Sequence, residues 1–595
     1  MLFSKSAYTF ELHDDGTFEI STPSGNLKFL ESKGIPFLPL VNRGVVWGAP
    51  EVTTSRDAGC DTITFALKSN WLYDSPRVIL RLKDDYVEFF FSAARVKRRV
   101  ALNKWYLFEK GTKINGLECL DFRSHIINSD PYETHQIILG RRKLGISGFQ
   151  ADTEDGDFMF GPHPMLFIFR HLEDNLLVAP LQLVQAESLY VQMDEGSTRL
   201  RDFHIRIGDN LYWLQEGEAL ESPHFMIQLT RDKDPYETLA AYTGILVRDG
   251  LVRAKTENEI EPWWLSPMWC SWGDQHFELE KKDSATSLAT NRWPLLDRIH
   301  DRLVNAVVEV IEKHQLPIRT LILDDMWYDK KGDMHPDKAK FPDMRSTVDR
   351  LHGKGFKVLA WSTLYKFDEN SQVYKNHPEW FVIHHYPRSW SILDTVPDNI
   401  HIDYSDEKIV RAYLGELLHR FLSSDPGCYN FDGIKFDWPF LVPHDYPYEN
   451  RDWVGKEMTV YKTQKLIYDM AKSFKRDALI IGVSPHPFFN DTQDIIRTYD
   501  VATPDIRVHI NRAKYVKAIA PGMIPGLDEH VYFQNFFRYL DVGGRLGIPM
   551  LYNLLCFNGD NYQPTDADYQ TMKKLLWDYV NRTPMLRDYM RSPRR

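Results

Sequence analysis

Long apolar runs are missing from this chain: no stretch of about 18 consecutive apolar residues occurs, so no segment reads as a membrane span. Cysteine is scarce, and Cys60, Cys119, Cys270, Cys428 and Cys556 are scattered without any CxxC or CxxH spacing. Neither a disulfide framework nor a structural zinc site is supported, and a reduced compartment is expected. Positive charge is in deficit, with 72 Lys and Arg against 83 Asp and Glu and a net charge of −11. Nucleic acid and an anionic membrane surface are therefore poor main partners. The first residues, Met1-Leu2-Phe3-Ser4-Lys5-Ser6, lack the apolar core of a secretory signal, so a cytoplasmic location is expected.

What the chain does have is ordinary globular composition, 43% hydrophobic and 26% charged, which excludes a mostly disordered polypeptide. Its 595 residues allow two to four domains at a prior of ~150 residues each. Aromatic residues are abundant (Trp 16, Tyr 29, Phe 34). They fill cores, and they also suit the flat faces of sugars.

Residues 1–255 read as β-structure. Asp14-Asp15-Gly16 and Pro23-Ser24-Gly25-Asn26 are turn clusters, with Phe18 and Ile20 alternating between them. Val78, Leu80 and Leu82 alternate in the same way, as do Phe203, Ile205 and Ile207. Short alternating strands between turns predict a large antiparallel β-sandwich. From residue 256 to 595 the pattern becomes strand, polar tip, helix, repeated. Leu321-Ile322-Leu323 runs into Asp324-Asp325, Phe356-Lys357-Val358-Leu359-Ala360 into Trp361, Gly433-Ile434-Lys435-Phe436 into Asp437, and Leu479-Ile480-Ile481-Gly482-Val483 into Ser484. Such a length suits an α/β domain built as a (β/α)8 TIM barrel. A doubly wound open sheet is the rival fold, but no Gly-rich phosphate fingerprint follows these strands.

In a (β/α)8 barrel the tips of the strands face the active site. The tips here are Trp272 and Asp274, then Asp324, Asp325 and Trp327, then Trp361, then Lys435 and Asp437, then Asp505. Acids, indoles and one lysine, with histidines sparse and no metal-ligand spacing, point to carboxylate chemistry on a neutral, hydroxyl-rich substrate without metal or cofactor. Lys435 and Asp437 share one side of a strand, and the lysine favours the ionised carboxylate that a nucleophile requires. A solvated strand-end acid is the plainer alternative. Asp505 is expected at the tip of a strand following Asp500; Asp500 is its rival as an acid, and a turn aspartate after Pro504 is the plain alternative. Asp324 and Asp325 can accept sugar hydroxyls while Trp327 covers a ring, although a cation site or a helix cap would also use adjacent acids. His486, in a Pro-rich turn, reads as structural.

These stretches resemble a retaining α-glycosidase of the clan of glycoside hydrolase families 27, 31 and 36, nearest to family 36 with its α-galactosidases. Leu323-Asp324-Asp325-Met326-Trp327 with Lys340-Phe341-Pro342 is similar to that family's Asp-Asp-Gly-Trp and Lys-Phe-Pro elements. His377-Pro378-Glu379-Trp380 resembles its His-Pro-Asp-Trp, and Asp403-Tyr404-Ser405 leading to Lys435-Phe436-Asp437 resembles its Leu-Asp-Leu-Ser and Lys-Trp-Asp. Asp500-Val501-Ala502-Thr503-Pro504-Asp505 resembles the acid motif, one residue shorter. Phe341-Pro342-Asp343-Met344 and Gly355-Phe356-Lys357-Val358 resemble family 31. Departures are Met326 in place of a glycine, Trp438-Pro439-Phe440 after the nucleophile motif, and Ser484-Pro485-His486-Pro487 in place of a Gly-rich segment. Little chain follows the expected last strand, Ile548-Pro549-Met550-Leu551-Tyr552, so the family's C-terminal β-domain is expected to be missing.

The resemblance implies an exo-acting retaining α-glycoside hydrolase, with an α-linked oligosaccharide or glycoside as substrate and galactose as the leading sugar. Asp437 would attack and Asp505 act as acid and base, their carboxyl groups ~5–5.5 Å apart. Asp324, Asp325, Trp361 and Lys435 would hold the sugar, with Trp327, Trp272 and Arg507 nearby. An α-glucosidase or transglycosylase of the same clan, an inactive carbohydrate-binding relative and, more remotely, a metal- or phosphate-dependent lyase remain open. So does assembly into a homo-oligomer.

Overall fold

The computed structural model describes the chain except for residues 42, 58, 121–135, 139–145, 148–163, 187, 195–196, 208–211, 276–298, 365, 385–398, 440–447, 449, 499–505, 529–532, 558–561 and 592–595. Its front part is antiparallel β-structure. Glycines with positive φ, Gly16 (83°) and Gly25 (72°), turn the chain between Thr9–Leu12, Phe18–Ser21 and Lys28–Glu31, as the turn clusters predict. A ten-stranded sheet centred on Arg77–Leu82, Tyr86–Ala93, Phe225–Arg231 and Asp174–Pro180 and a six-stranded sheet containing Val100–Tyr106 and Leu200–Arg206 enclose one apolar core. Phe89, Phe167 and Phe225 meet Trp105, Phe203 and Ile205 there, giving a sandwich.

The two faces of the large sheet read differently in the sequence. Arg77–Leu82 alternates between exposed or partly covered and buried positions, whereas Asp174–Pro180 is buried at every residue after Asp174. The second face is covered as well. Helix Pro235–Arg248 lies across Ile168, Leu177 and Met226, and the same cluster takes in Val483, Ile496, Tyr515 and Ile519 from the barrel. Asp234 caps this helix on Tyr236 N, and Pro235 opens it. Tyr242 Oη donates to Pro180 O at 2.8 Å and Thr243 Oγ1 to Ala518 O at 2.8 Å, so one helix stitches sheet to barrel. The expected division at 255/256 falls between this helix and the first barrel strand.

Eight parallel strands close the barrel: Met268–Cys270, Thr320–Leu323, Lys357–Ser362, Gly433–Phe436, Leu479–Gly482, Ile495–Arg497, Ile524–Asp528 and Ile548–Leu551. Five of them match the apolar runs expected from sequence, the last strand included. Buried on both faces, they need no alternation, which is why they read as continuous apolar stretches. Helices such as Asp301–His314 and Met344–Gly353 cover the outside, the second capped by Asp343 on Ser346 N. The sixth strand is Ile495–Arg497, upstream of Asp500; the run after Asp500 in which a strand is expected lies outside the described residues. Asp494 anchors its start, accepting from Ile480 N at 2.9 Å and pairing with Lys255 and Lys472 at 2.8 Å each. Among the described residues no helix is long and apolar enough to cross a membrane.

Candidate active site

The C-terminal ends of the strands carry a connected set of buried charges. Lys435, inside the fourth strand, donates to Asp324 Oδ2 at 2.5 Å and lies 3.3 Å from Tyr552 Oη. The Cys270 thiol, at the end of the first strand, donates to the same Asp324 oxygen at 2.8 Å. Ser271 Oγ accepts from Asp324 N at 2.8 Å, and Asp324 Oδ1 accepts from Asp325 N at 2.9 Å. Burial pushes the Cys270 thiol well up, so it stays a donor. Burial opposes both ions of the pair, yet Lys435 brings Asp324 below the usual carboxylate value, and Asp324, Cys270 and Asp437 hold Lys435 above the usual lysine value.

Asp437 is arranged otherwise. Trp361 Nε1 donates to its Oδ2 at 3.0 Å. Its Oδ1, equally buried, accepts no hydrogen bond from any described residue and lies 3.3 Å from Arg497 Nη1. Burial pushes this carboxyl up from the usual range, while Arg497, Lys435 and the Trp361 indole pull it back. Arg497, fully buried at the end of the sixth strand, donates through Nε to both Asp528 oxygens at 3.2 and 3.0 Å. Tyr552 Oη donates to Asp528 Oδ1 at 2.9 Å and closes the ring. A buried carboxylate with one oxygen bare and two cations beside it is built to gain a partner at that oxygen. It is the arrangement a carboxylate nucleophile needs.

Of the residues expected from sequence, Asp324, Trp361, Lys435 and Asp437 come together. Asp325 lies beside them, its oxygens taking bonds from Tyr328 Oη, from Met326 N at 2.8 Å and from Lys331 Nζ at 3.3 Å. Trp327 corrects the expectation of a sugar platform. Its ring is fully buried among Phe421, Tyr429 and Phe431, and its Nε1 donates to Trp361 O at 3.0 Å, so it supports Trp361 from behind. Trp272 is half-buried just after the first strand, and Arg507 is exposed on the helix Ile506–Ile519. Asp505 and its rival Asp500 lie outside the described residues. Asp274 ties down the chain after the eighth strand, accepting from Leu554 N at 3.0 Å, Leu555 N at 2.9 Å and Trp269 Nε1 at 2.9 Å. His486 is buried, its Nε2 3.2 Å from Glu457 Oε2. Among the described residues no group of His, Cys, Asp and Glu is disposed to hold a metal ion.

Three members of the ring, Arg497, Asp528 and Tyr552, were not singled out from sequence. A strand reading of Asp494-Ile495-Ile496-Arg497 would have placed Arg497 at a strand tip. Met326 and Trp438, both departures from the family pattern, adopt left-handed backbone (φ 77° and 61°). Glycine bears that conformation without strain, and strained positions of this kind cluster at functional sites.

Residues 287–480 match the model of the glycosyl hydrolases family 31 TIM-barrel domain. Alpha-galactosidase C of Emericella nidulans is 24% identical over 261 residues, 40% of this chain and 31% of that protein. Alpha-galactosidase 2 of Pediococcus pentosaceus is 27% identical over 116 residues, 18% of this chain and 16% of that one. The chain therefore covers less than a third of either relative. The family 36 α-galactosidase AgaA of Geobacillus stearothermophilus superposes with a TM-score of 0.54 at 14% identity, covering 97% of this chain and 76% of its own. The α-galactosidase of Lactobacillus brevis does so with a TM-score of 0.54 at 11% identity, covering 98% and 84%. The chain thus carries the sandwich-and-barrel fold of these α-galactosidase structures, with a sequence match in its barrel to the family 31 TIM-barrel domain.

Proposed function

We propose that the chain is a retaining, exo-acting α-glycoside hydrolase of the α-galactosidase type. The observation that carries this reading is Asp437: one oxygen is held by Trp361 and the other is bare beside Arg497, at the end of a barrel where such enzymes do their chemistry. Asp437 Oδ1 attacks the anomeric carbon, the bond to the leaving oxygen breaks, and a glycosyl-enzyme ester forms. Asp505 gives its proton to the leaving oxygen, then takes one from the water that hydrolyses the ester. Holding Oδ2 with an indole aims Oδ1, and the nearby cations favour the carboxylate over the acid. The Asp324–Lys435 pair keeps acceptor and donor capacity for sugar hydroxyls. AgaA variants have been crystallised with stachyose and with raffinose, which supports an α-linked oligosaccharide as the substrate here. Five free cysteines fit a reduced, cytoplasmic setting.

The test is a panel of aryl α-glycosides read against Asp437→Asn, with a 2-fluoro sugar to trap the ester. Asp437-dependent turnover and a glycosyl adduct on Asp437 are expected. Full activity of the variant, or a trapped adduct elsewhere, would overturn the assignment.

A further inference from the structure

The wall beside Asp437 carries two lysines that the hydrolytic steps leave unused. Trp438 follows Asp437 directly and stands edge-on to Trp361, ring centres 5.4 Å apart. Lys331 Nζ is 5.2 Å from the Trp438 ring centre and 5.6 Å from those of Trp361 and Tyr328. Its charge is matched by Asp325 Oδ2 at 3.3 Å. Lys366 Nζ lies 5.7 Å from the centre of the same Trp438 ring, and the residue is only 5% exposed. No hydrogen bond or ion pair joins its ammonium to a described residue; Asp325 and Asp368 reach it only as a field, which Lys331 opposes.

Withdrawing an ammonium from water is costly unless an anion meets it, and one indole face offsets only part of that cost. Burial, with Lys331 next, pushes Lys366 down to about 7, the sign of a cation still lacking its counter-ion. Two lysines flank the Trp438 ring, and one carboxylate, Asp325, is paired with Lys331 among the described residues, which leaves positive charge in excess next to the residue that follows Asp437. We infer that Lys366, with Lys331 beside it, receives an anionic substituent (carboxylate, sulfate or phosphate) of the sugar bound against Asp437, so that the preferred substrate is an acidic α-glycoside. This rests on the proposed hydrolase activity, which places the ring against Asp437.

The experiment compares kcat/KM at low ionic strength for an aryl α-galactoside, its 6-sulfate, its 6-phosphate and the aryl α-galacturonide. The wild-type chain is expected to favour at least one acidic substrate by tenfold or more, the arms showing which anion. Lys366→Met should lower that ratio at least tenfold, and Lys366→Arg should keep most of it. Preference for the neutral substrate over every acidic one, or equal losses on all of them in Lys366→Met, overturns the subsite. If the neutral galactoside is still turned over in an Asp437-dependent way, the hydrolase reading survives that result. Should no substrate be turned over, calorimetric titration with galactose, galacturonic acid, galactose 6-sulfate and galactose 6-phosphate decides. Tenfold tighter binding of an acidic sugar supports the subsite, and no difference removes it.

Discussion

Asp432 and Asp437 flank the same four-residue strand, Gly433–Phe436, and their surroundings are opposites. At the entering end, Asp432 accepts from His352 Nε2 at 2.6 Å, Lys357 Nζ at 2.9 Å and Val358 N at 2.9 Å. Despite burial, His352 and the two lysines near it hold its carboxyl well below the usual range. At the leaving end, Asp437 has one oxygen bonded and one bare, and burial pushes its carboxyl up. Burial and residue type are the same, so neither tells structure from function. What separates them is whether the partners are already present. A satisfied acid stabilises the barrel, and an unsatisfied one keeps its remaining interaction for a ligand.

Exchanging each acid for its amide should break this comparison most sharply. Asp437→Asn is expected to lose at least about a thousandfold in kcat on any substrate the chain hydrolyses. Its melting temperature should hold or rise, since a buried, half-paired charge is gone. Asp432→Asn should do the reverse, costing about 3–5 kcal/mol because two lysines and a histidine lose their anion. Specific activity of its folded fraction should stay near wild type. Chemical denaturation and initial rates measured on both variants check the pair. A destabilised Asp437→Asn with normal rates would reverse the roles of the two acids.

Lys435 tests whether the mouth tolerates an unpaired ion of its own making. Lys435→Met leaves Asp324 buried with the Cys270 thiol and the Asp325 N–H as its donors, so a loss of about 3 kcal/mol is expected together with inactivity. Replacing both members, Asp324→Asn with Lys435→Met, should recover part of the stability and none of the activity. Thermal unfolding of the two variants beside the wild-type chain makes the comparison.

How much of the fold and the site was legible in the sequence depended on the run of residues around each charge. Asp432 and Asp437 both border an obvious apolar strand, and the period of two placed Lys435 with Asp437. Arg497 ends a strand with only two apolar residues before it, too short to register, so the strand was expected after Asp500 instead. Asp528 ends Ile524-Pro525-Gly526-Leu527, where proline and glycine read as loop although the residues form a barrel strand. Tyr552 read as one more apolar residue of the last strand, since sequence cannot show which hydroxyl finds a carboxylate. Trp327 failed for another reason. The left-handed turn at Met326 separates it from Asp325, and which side of such a turn a ring falls on is decided by Phe421 and Phe431, far away in the chain. The sandwich and barrel were legible because alternation and continuous apolar runs report burial on one face or two.

pH separates the two acids without any substitution. Asp432 has a lowered carboxyl, so its stabilisation is fully present above the usual carboxylate range and is lost as pH falls through the lowered native value. Acid unfolding should therefore be less steep below pH ~4 in Asp432→Asn than in the wild-type chain. As the proposed nucleophile, Asp437 must be ionised to attack; its carboxyl is raised, so kcat/KM should fall on the acid side from a pH above the usual carboxylate value.

The smallest expected effect is also the most specific. Trp361 Nε1 donates to the ionised form of Asp437 and so favours it; Trp361→Phe removes that donor while keeping an aromatic ring beside Trp438. A hydrogen bond to a charged group contributes about 1.5–3 kcal/mol, part of which water entering the shortened site restores. The acid limb of kcat/KM should then move up by about half to one pH unit, at 1.36 kcal/mol per unit. Because the same indole bond fixes how Asp437 Oδ1, the proposed attacking oxygen, is turned, the rate on the plateau should fall too. A limb that stays put while the plateau drops would mean that Trp361 orients Asp437 without tuning it. A limb that shifts shows that the indole bond holds Asp437, the proposed nucleophile, in its charged form.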